Sequence, residues 1–138
     1  MEFDDLHQEI IRDHYKHPRN KKPLSHLKAF ENPSCGDTVK IDLSETDHIT
    51  SVYFDGSGCS ISMCSASMMS ELLTGKSIDD AKVIVGRFLS VIMGQEPIEI
   101  LEDYGDLVAL SGVINLPVRA KCATLAWNAA QQILNDYK

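Results

Sequence analysis

Cys35, Asp37, Cys59 and Cys122 are the residues of this chain best suited to chemistry. They sit in the strings Pro33-Ser34-Cys35-Gly36-Asp37, Gly56-Ser57-Gly58-Cys59-Ser60-Ile61-Ser62 and Leu116-Pro117-Val118-Arg119-Ala120-Lys121-Cys122. Each of these cysteines therefore stands at a break between a loop and an expected regular element. Three thiolates and one carboxylate form a four-donor set that suits Zn²⁺ or an iron–sulfur cluster. Spacing alone does not establish such a site. A zinc finger carries close pairs such as C-x₂-C, whereas these donors are scattered and must be gathered by tertiary structure. The competing reading is a set of independently buried cysteines, since free cysteine is among the most buried residue types. The glycines and proline around the three favour the ligand reading. Glycine allows close backbone approach and positive φ, which a core cysteine in mid-element does not need.

The placement of the thiols bears on their reactivity. Cys59 directly precedes an expected helix, and Cys122 lies in the opening turns of another. The partial positive charge of a helix N-terminus stabilises a thiolate, the form that binds metal or attacks sulfur. Cys35 and Asp37 flank Gly36, and in an extended chain residues two apart point to the same side, so both could reach one ion. Arg119 and Lys121 precede the last cysteine. Such cations lower a thiol pKa or steady a persulfide anion; a solvated basic pair is the alternative. The fourth cysteine, Cys64, follows Cys59 at a helical rotation of about 140°, so the two do not share a face. Its neighbours Met63, Ser65, Ala66, Ser67, Met68 and Met69 suit close packing and a core role. His14 and His17 lie near the end of the first expected helix, where histidines are commonly solvated and favoured by the dipole. The chain carries no glycine-rich phosphate loop.

The elements that must position these groups follow from periodicity. Residues 3–15 carry an apolar stripe of Phe3, Leu6, Ile10 and Ile11 at helical spacing, and Pro18 ends that helix. Residues 19–27 are mostly polar, and Arg19-Asn20-Lys21-Lys22 between two prolines reads as a solvated basic loop. Val39, Ile41 and Leu43 alternate with Lys40 and Asp42 as a half-buried strand, and 49–55 is a second strand that pairs with it as an antiparallel hairpin. Residues 28–31 are too short a run to decide on a third. A helix is expected over 60–74, stopped by Gly75. Ser77 caps the next, whose apolar face is Ile78, Ala81, Val85, Phe88 and Leu89. Residues 107–110 read as a short helix or a buried strand. Pro117 opens the last helix, with Cys122, Leu125, Ala126, Ala129, Ile133 and Leu134 on its core face. The expected fold is α+β: a small antiparallel sheet packed against helices, with the ligand loops gathered at one end.

At 138 residues the chain fits one domain, 1–138, which needs no disulfide to fold. The net charge of −7 disfavours nucleic acid or an anionic membrane as partner, since both demand a basic surface, and permits a basic protein. No apolar run is long enough to span a membrane. The acidic start Met-Glu-Phe-Asp-Asp is no secretory signal. A cytoplasmic, reducing setting is expected, where cysteines serve as ligands or reactive thiols rather than disulfides.

In combination and in order, Asn32-Pro33-Ser34-Cys35-Gly36-Asp37, Gly58-Cys59-Ser60-Ile61-Ser62 and Pro117-Val118-Arg119-Ala120-Lys121-Cys122 resemble the three motifs of the iron–sulfur cluster scaffold family of IscU and the NifU N-terminal domain. The resemblance covers essentially the whole chain and is closer to the SufU branch. Lys121 stands where the IscU pattern has a histidine, and 86–106 looks like the insertion that separates SufU from IscU. The resemblance implies zinc held by Cys35, Asp37, Cys59 and Cys122, with Arg119 near it. It implies a protein that accepts sulfur from a cysteine desulfurase and passes it to downstream cluster assembly proteins. One ligand must then be exchangeable. Cys35 is expected to be the attacking thiolate, because no expected helix holds its loop. Two other readings stay open: a scaffold that carries a transient [2Fe–2S] cluster on the same residues, and a zinc-stabilised interaction module without chemistry.

Overall fold

A computed structural model describes residues 5–32 and 36–136. The order of elements is helix α1 (Asp5–Lys16), strands β1 (Phe30–Glu31), β2 (Thr38–Glu45) and β3 (Ile49–Ser57), helices α2 (Ser60–Leu73) and α3 (Ile78–Ile92), a 3₁₀ segment (Ile98–Val113) and helix α4 (Pro117–Asn135). The strands form an antiparallel sheet in the order β1-β2-β3. Ile41 pairs with Phe54 and Leu43 with Val52, so the alternating apolar residues of the hairpin lie on one face. That face is buried, with Val39, Ile41, Leu43, Val52 and Phe54 all in the core, as a period of two with one wet face requires. The α+β expectation and the hairpin hold. The undecided run at 28–31 contributes only the short edge strand β1.

Helix α2 is the centre of the molecule. It packs against α1, β3, the 3₁₀ segment and α4. Every residue from Ile61 to Ser70 is buried. A helix enclosed on all sides has no polar stripe to show, and this one fits because small residues line it. Its serines satisfy their hydroxyls locally. Ser65 donates to the Ala123 carbonyl at 2.6 Å and accepts from the Trp127 indole N–H at 2.9 Å. Trp127 is fully buried and stacks on Phe88 of α3, with ring centroids 4.3 Å apart. It joins three helices, and it is absent from the core face expected from periodicity. On that face Leu134 is buried as expected while Ile133 is only half-buried, and α4 also turns Trp127 and Ala130 inward.

Two local expectations are corrected. His14 is fully buried rather than solvated. Its Nδ1 lies 2.8 Å from Ser67 Oγ on α2, and its Nε2 lies 3.0 Å from the Asp106 carboxylate in the 3₁₀ segment. A carboxylate only accepts, so Nε2 carries a proton; the Ser67 hydroxyl, which accepts from the Arg19 N–H at 2.8 Å, has its own proton for Nδ1. The helix C-terminus therefore turns this histidine inward, where it bridges α1, α2 and the segment around Asp106. The basic stretch after Pro18 is not a free loop either. Lys22 N–H donates to Phe54 O and Phe54 N–H donates to Asn20 O, each at 3.0 Å, which makes a parallel bridge on the outer edge of β3. Lys22 Nζ sits 3.8 Å above the Tyr53 ring, a cation–π contact. The side chains of 20–22 remain exposed.

The helix boundaries follow their chemistry. The Ser77 side chain accepts from Asp80 N–H, as the capping expectation requires. Gly75 adopts φ +89° just past α2. The open choice at 107–110 resolves as 3₁₀ helix, with Leu107, Ala109 and Leu110 buried. A kink at Tyr104 and Gly105 splits that segment, and Gly105 supplies the positive φ of 59°. Among the described residues, no helix is long and apolar enough to cross a membrane.

Trp127→Ala is expected to cost about 3–5 kcal/mol, measured as the shift in urea midpoint multiplied by the slope. A loss below about 1 kcal/mol would mean that the three-helix junction does not rest on this ring.

Candidate metal centre

Asp37, Cys59 and Cys122 arrive from three different elements, and their donor atoms all lie within 4.8 Å of one another. Asp37 immediately precedes β2. Its loop is pinched by two backbone bonds, Asn32 N–H to Asp37 O at 2.9 Å and Gly36 N–H to Asn32 O at 2.8 Å. Gly36 adopts φ +76°, so the extended geometry expected across this residue does not hold. Only a residue tolerant of the left-handed region closes the loop this tightly. Cys35 lies outside the described residues. Of the four expected donors, the structure therefore brings together the three it describes.

Cys59 is the N-cap residue of α2, with extended φ and ψ of −72° and 172°. Its side chain makes no capping bond, so the thiol is left to face the cluster at the positive end of the helix. Cys122 is buried and lies one turn further into its helix than the opening residues Pro117 and Val118. The dipole effect fades beyond the first turn, so the helix-start placement read from the sequence holds for Cys59 and less so for Cys122.

The Asp37 carboxylate is buried and held from two sides. The Ser62 hydroxyl donates to Oδ2, and the Cys59 N–H points at the same oxygen from 3.4 Å. Beside it, Gly58 leaves the room: a Cβ there would stand 2.7 Å from Asp37 Cγ and 2.9 Å from Oδ2. The glycine before Cys59 is thus required by space rather than by backbone freedom. Ser62 and this role of Gly58 were not read from the sequence. The signal for Ser62 was its spacing of one helical turn from Cys59, which places both on the same face.

The donor set fits zinc. Sulfur donors at about 2.3 Å from a tetrahedral ion stand about 3.8 Å apart, within the spread seen here. Soft sulfur with one carboxylate discriminates against magnesium and calcium.

Cys64 takes no part. It is fully buried, its thiol lies 3.4 Å from the Ile61 carbonyl oxygen, and burial, with the nearby Cys59 adding to it, pushes its pKa up to about 12. Arg119 and Lys121 are both exposed and diverge around the start of α4. Arg119 lines a cleft of about 460 Å³ with Ile11, Arg12 and Tyr15 of α1, Ser60 and Ile61 at the start of α2, and Leu116. Lys121 faces another of about 240 Å³ beside Phe30, Glu31 and Asn32. Residues two apart on a helix do not face each other, so these cations flank Cys122 on two sides rather than acting as a pair.

Fold and site together define an α+β protein with a thiol–carboxylate donor group where a sheet end meets two helix starts. Known proteins are similar to it in sequence and fold. The model of the NifU-like N-terminal domain matches residues 6–138. The chain is 42% identical over 133 residues to the zinc-dependent sulfurtransferase SufU of Bacillus subtilis strain 168, covering 94% of this chain and 90% of that protein. It is 35% identical over 133 residues to the iron–sulfur cluster assembly scaffold protein IscU of Streptococcus pyogenes, covering 94% and 82%. A crystal structure from Fervidobacterium islandicum AW-1, of a candidate cluster assembly scaffold protein for the SUF system, superposes with a TM-score of 0.77 at 30% identity, covering 91% and 94%. The chain belongs to the NifU-like N-terminal domain family.

Gly58→Ala is expected to drive the Asp37 carboxylate out of the donor group and to weaken zinc binding by about tenfold or more, read by competition with a chelator. Affinity equal to the parent would show that Asp37 is not a ligand.

Proposed function

We propose that this protein is a zinc-holding sulfur acceptor in iron–sulfur cluster assembly, acting in the cytoplasm on persulfide sulfur delivered by a cysteine desulfurase. The observation that carries the reading is the convergence of Asp37, Cys59 and Cys122 from separate elements onto one donor group. Cys35 is assigned as the fourth donor and as the attacking thiol. Zinc, when bound, keeps its cysteine ligands as thiolates at neutral pH.

The chain's own residues do the rest. The Cys35 thiolate attacks the terminal sulfur of the donor persulfide. A new S–S bond forms to Cys35, the donor's S–S bond breaks, and its bonding pair leaves on the donor cysteine as a thiolate. The proton stays on the transferred sulfur, and no external oxidant or reductant is consumed. Arg119 and Lys121, exposed on either side of the start of α4, steady the transferred persulfide as an anion once its proton is lost to water. Cys64 stays protonated and out of reach of the donor.

A scaffold reading has one observation in its favour, the 35% identity to a protein named as an IscU scaffold. There the same residues would carry a [2Fe–2S] cluster as cargo for downstream assembly proteins. Lys121, in place of the histidine of the IscU pattern, favours transfer. Asp37→Ala separates the two readings: it lowers zinc affinity and sulfur acceptance under transfer, and prolongs the life of a bound cluster under the scaffold reading.

Protein purified without added metal is expected to hold one zinc per chain by elemental analysis; a coloured iron cluster in its place would overturn the assignment. Cys35→Ala, Cys59→Ala and Cys122→Ala are each expected to abolish sulfur acceptance from a desulfurase, and Cys64→Ala to retain it. In the folded protein below pH 9, Cys64 is expected to resist alkylation, because a thiol with its pKa raised to about 12 is protonated throughout that range. Loss of acceptance in a folded, zinc-loaded Cys64→Ala protein would bring the fourth cysteine into the mechanism.

A further inference from the structure

Ser62 is buried in the first turn of α2, and its hydroxyl reaches two groups of the centre. One is Oδ2 of Asp37; the other is Cys59 Sγ, 3.7 Å away. A hydroxyl has one proton to give. The carboxylate oxygen is much the nearer and is charged, and hydrogen bonds to a charged acceptor are about twice as strong as neutral ones. The proton therefore goes to Asp37. With the Cys59 N–H on the same oxygen and Gly58 leaving room beside the carboxylate, Oδ2 is held by protein donors. A carboxylate held in this way keeps a fixed orientation within the donor group.

We propose that Ser62 is a positioning residue that holds Asp37 in the donor group, and that it thereby sets how readily the metal is released. The inference rests on Asp37 being a ligand of the proposed zinc centre. Asp37 is the hard donor among soft ones and the ligand most easily exchanged. Without the hydroxyl, the carboxylate loses its side-chain bond to α2 and gains freedom about its χ angles. Ordering it on the metal then costs more, and the metal is held less tightly. Partners of this kind around metal ligands typically contribute 10–100-fold in affinity.

The test measures zinc affinity and dissociation rate by chelator competition for the parent, Ser62→Ala, Asp37→Ala and the double variant, with thermal unfolding of the metal-free proteins alongside. Alanine fits the space and is the better helix former, so Ser62→Ala is expected to fold. It is expected to weaken zinc binding by about tenfold and to speed its loss, with no further weakening when added to Asp37→Ala. Ser62→Thr, which restores the hydroxyl, is expected to bind close to the parent. Three results would overturn the proposal while leaving the zinc centre intact. These are parent-like affinity in Ser62→Ala, an undiminished effect of Ser62→Ala in the Asp37→Ala background, or Ser62→Thr as loose as Ser62→Ala. A parent that binds no zinc, or whose affinity is indifferent to Asp37→Ala, would overturn the ligand set itself and the inference with it.

Discussion

The enclosure of α2 is the constraint on which the rest of the structure depends. A helix buried from Ile61 to Ser70 cannot tilt or slide without opening voids against α1, β3 and α4 at once. Cys59 is the N-cap of that helix and Ser62 belongs to its first turn. The positions of one donor and of the hydroxyl beside Asp37 are therefore inherited from core packing. The loop of Asp37 and the start of α4 close onto a fixed point. This is how a site with donors far apart in the chain acquires definite geometry without a close cysteine pair.

The same enclosure separates the cysteines by role. Cys59 sits at the helix start, half-buried, beside the Asp37 carboxylate of the donor group. Cys64, one and a half turns on, lies in the fully enclosed part of the helix, and burial raises its pKa to about 12. One helix thus presents a thiol suited to ligation and silences another. The difference comes from position along the axis, not from residue type.

Polar groups in the interior serve the same end. Ser65 ties α2 to α4 through Ala123 and Trp127. Ser67 ties it to α1 through His14 and to the stretch after α1 through Arg19, and His14 carries the connection on to Asp106. Buried hydroxyls of this kind must find partners, and the partners here lie outside α2 itself. The small side chains that let the helices approach also specify which neighbours approach.

Much of this was legible in the amino-acid sequence, because local rules decide it. The alternation of Val39, Ile41 and Leu43 declares a strand with one dry face. Ser77, Gly75 and Pro117 mark helix ends through capping, positive φ and a fixed φ. The residue types of Asp37, Cys59 and Cys122 declare a soft donor set with one hard member. Other features are set by contacts between residues far apart in the chain, which no local period encodes. They include the burial of His14, which the dipole rule alone would leave in water, the pairing of 20–22 with β3, and the inward turn of Trp127. They also include the meeting of the Asp37 carboxylate with Ser62 and the bare Cα of Gly58. The sequence determined which groups exist and which joints they occupy; only the packing around α2 decided that they converge, because only a closed core brings three chain segments to within a few ångströms of one another.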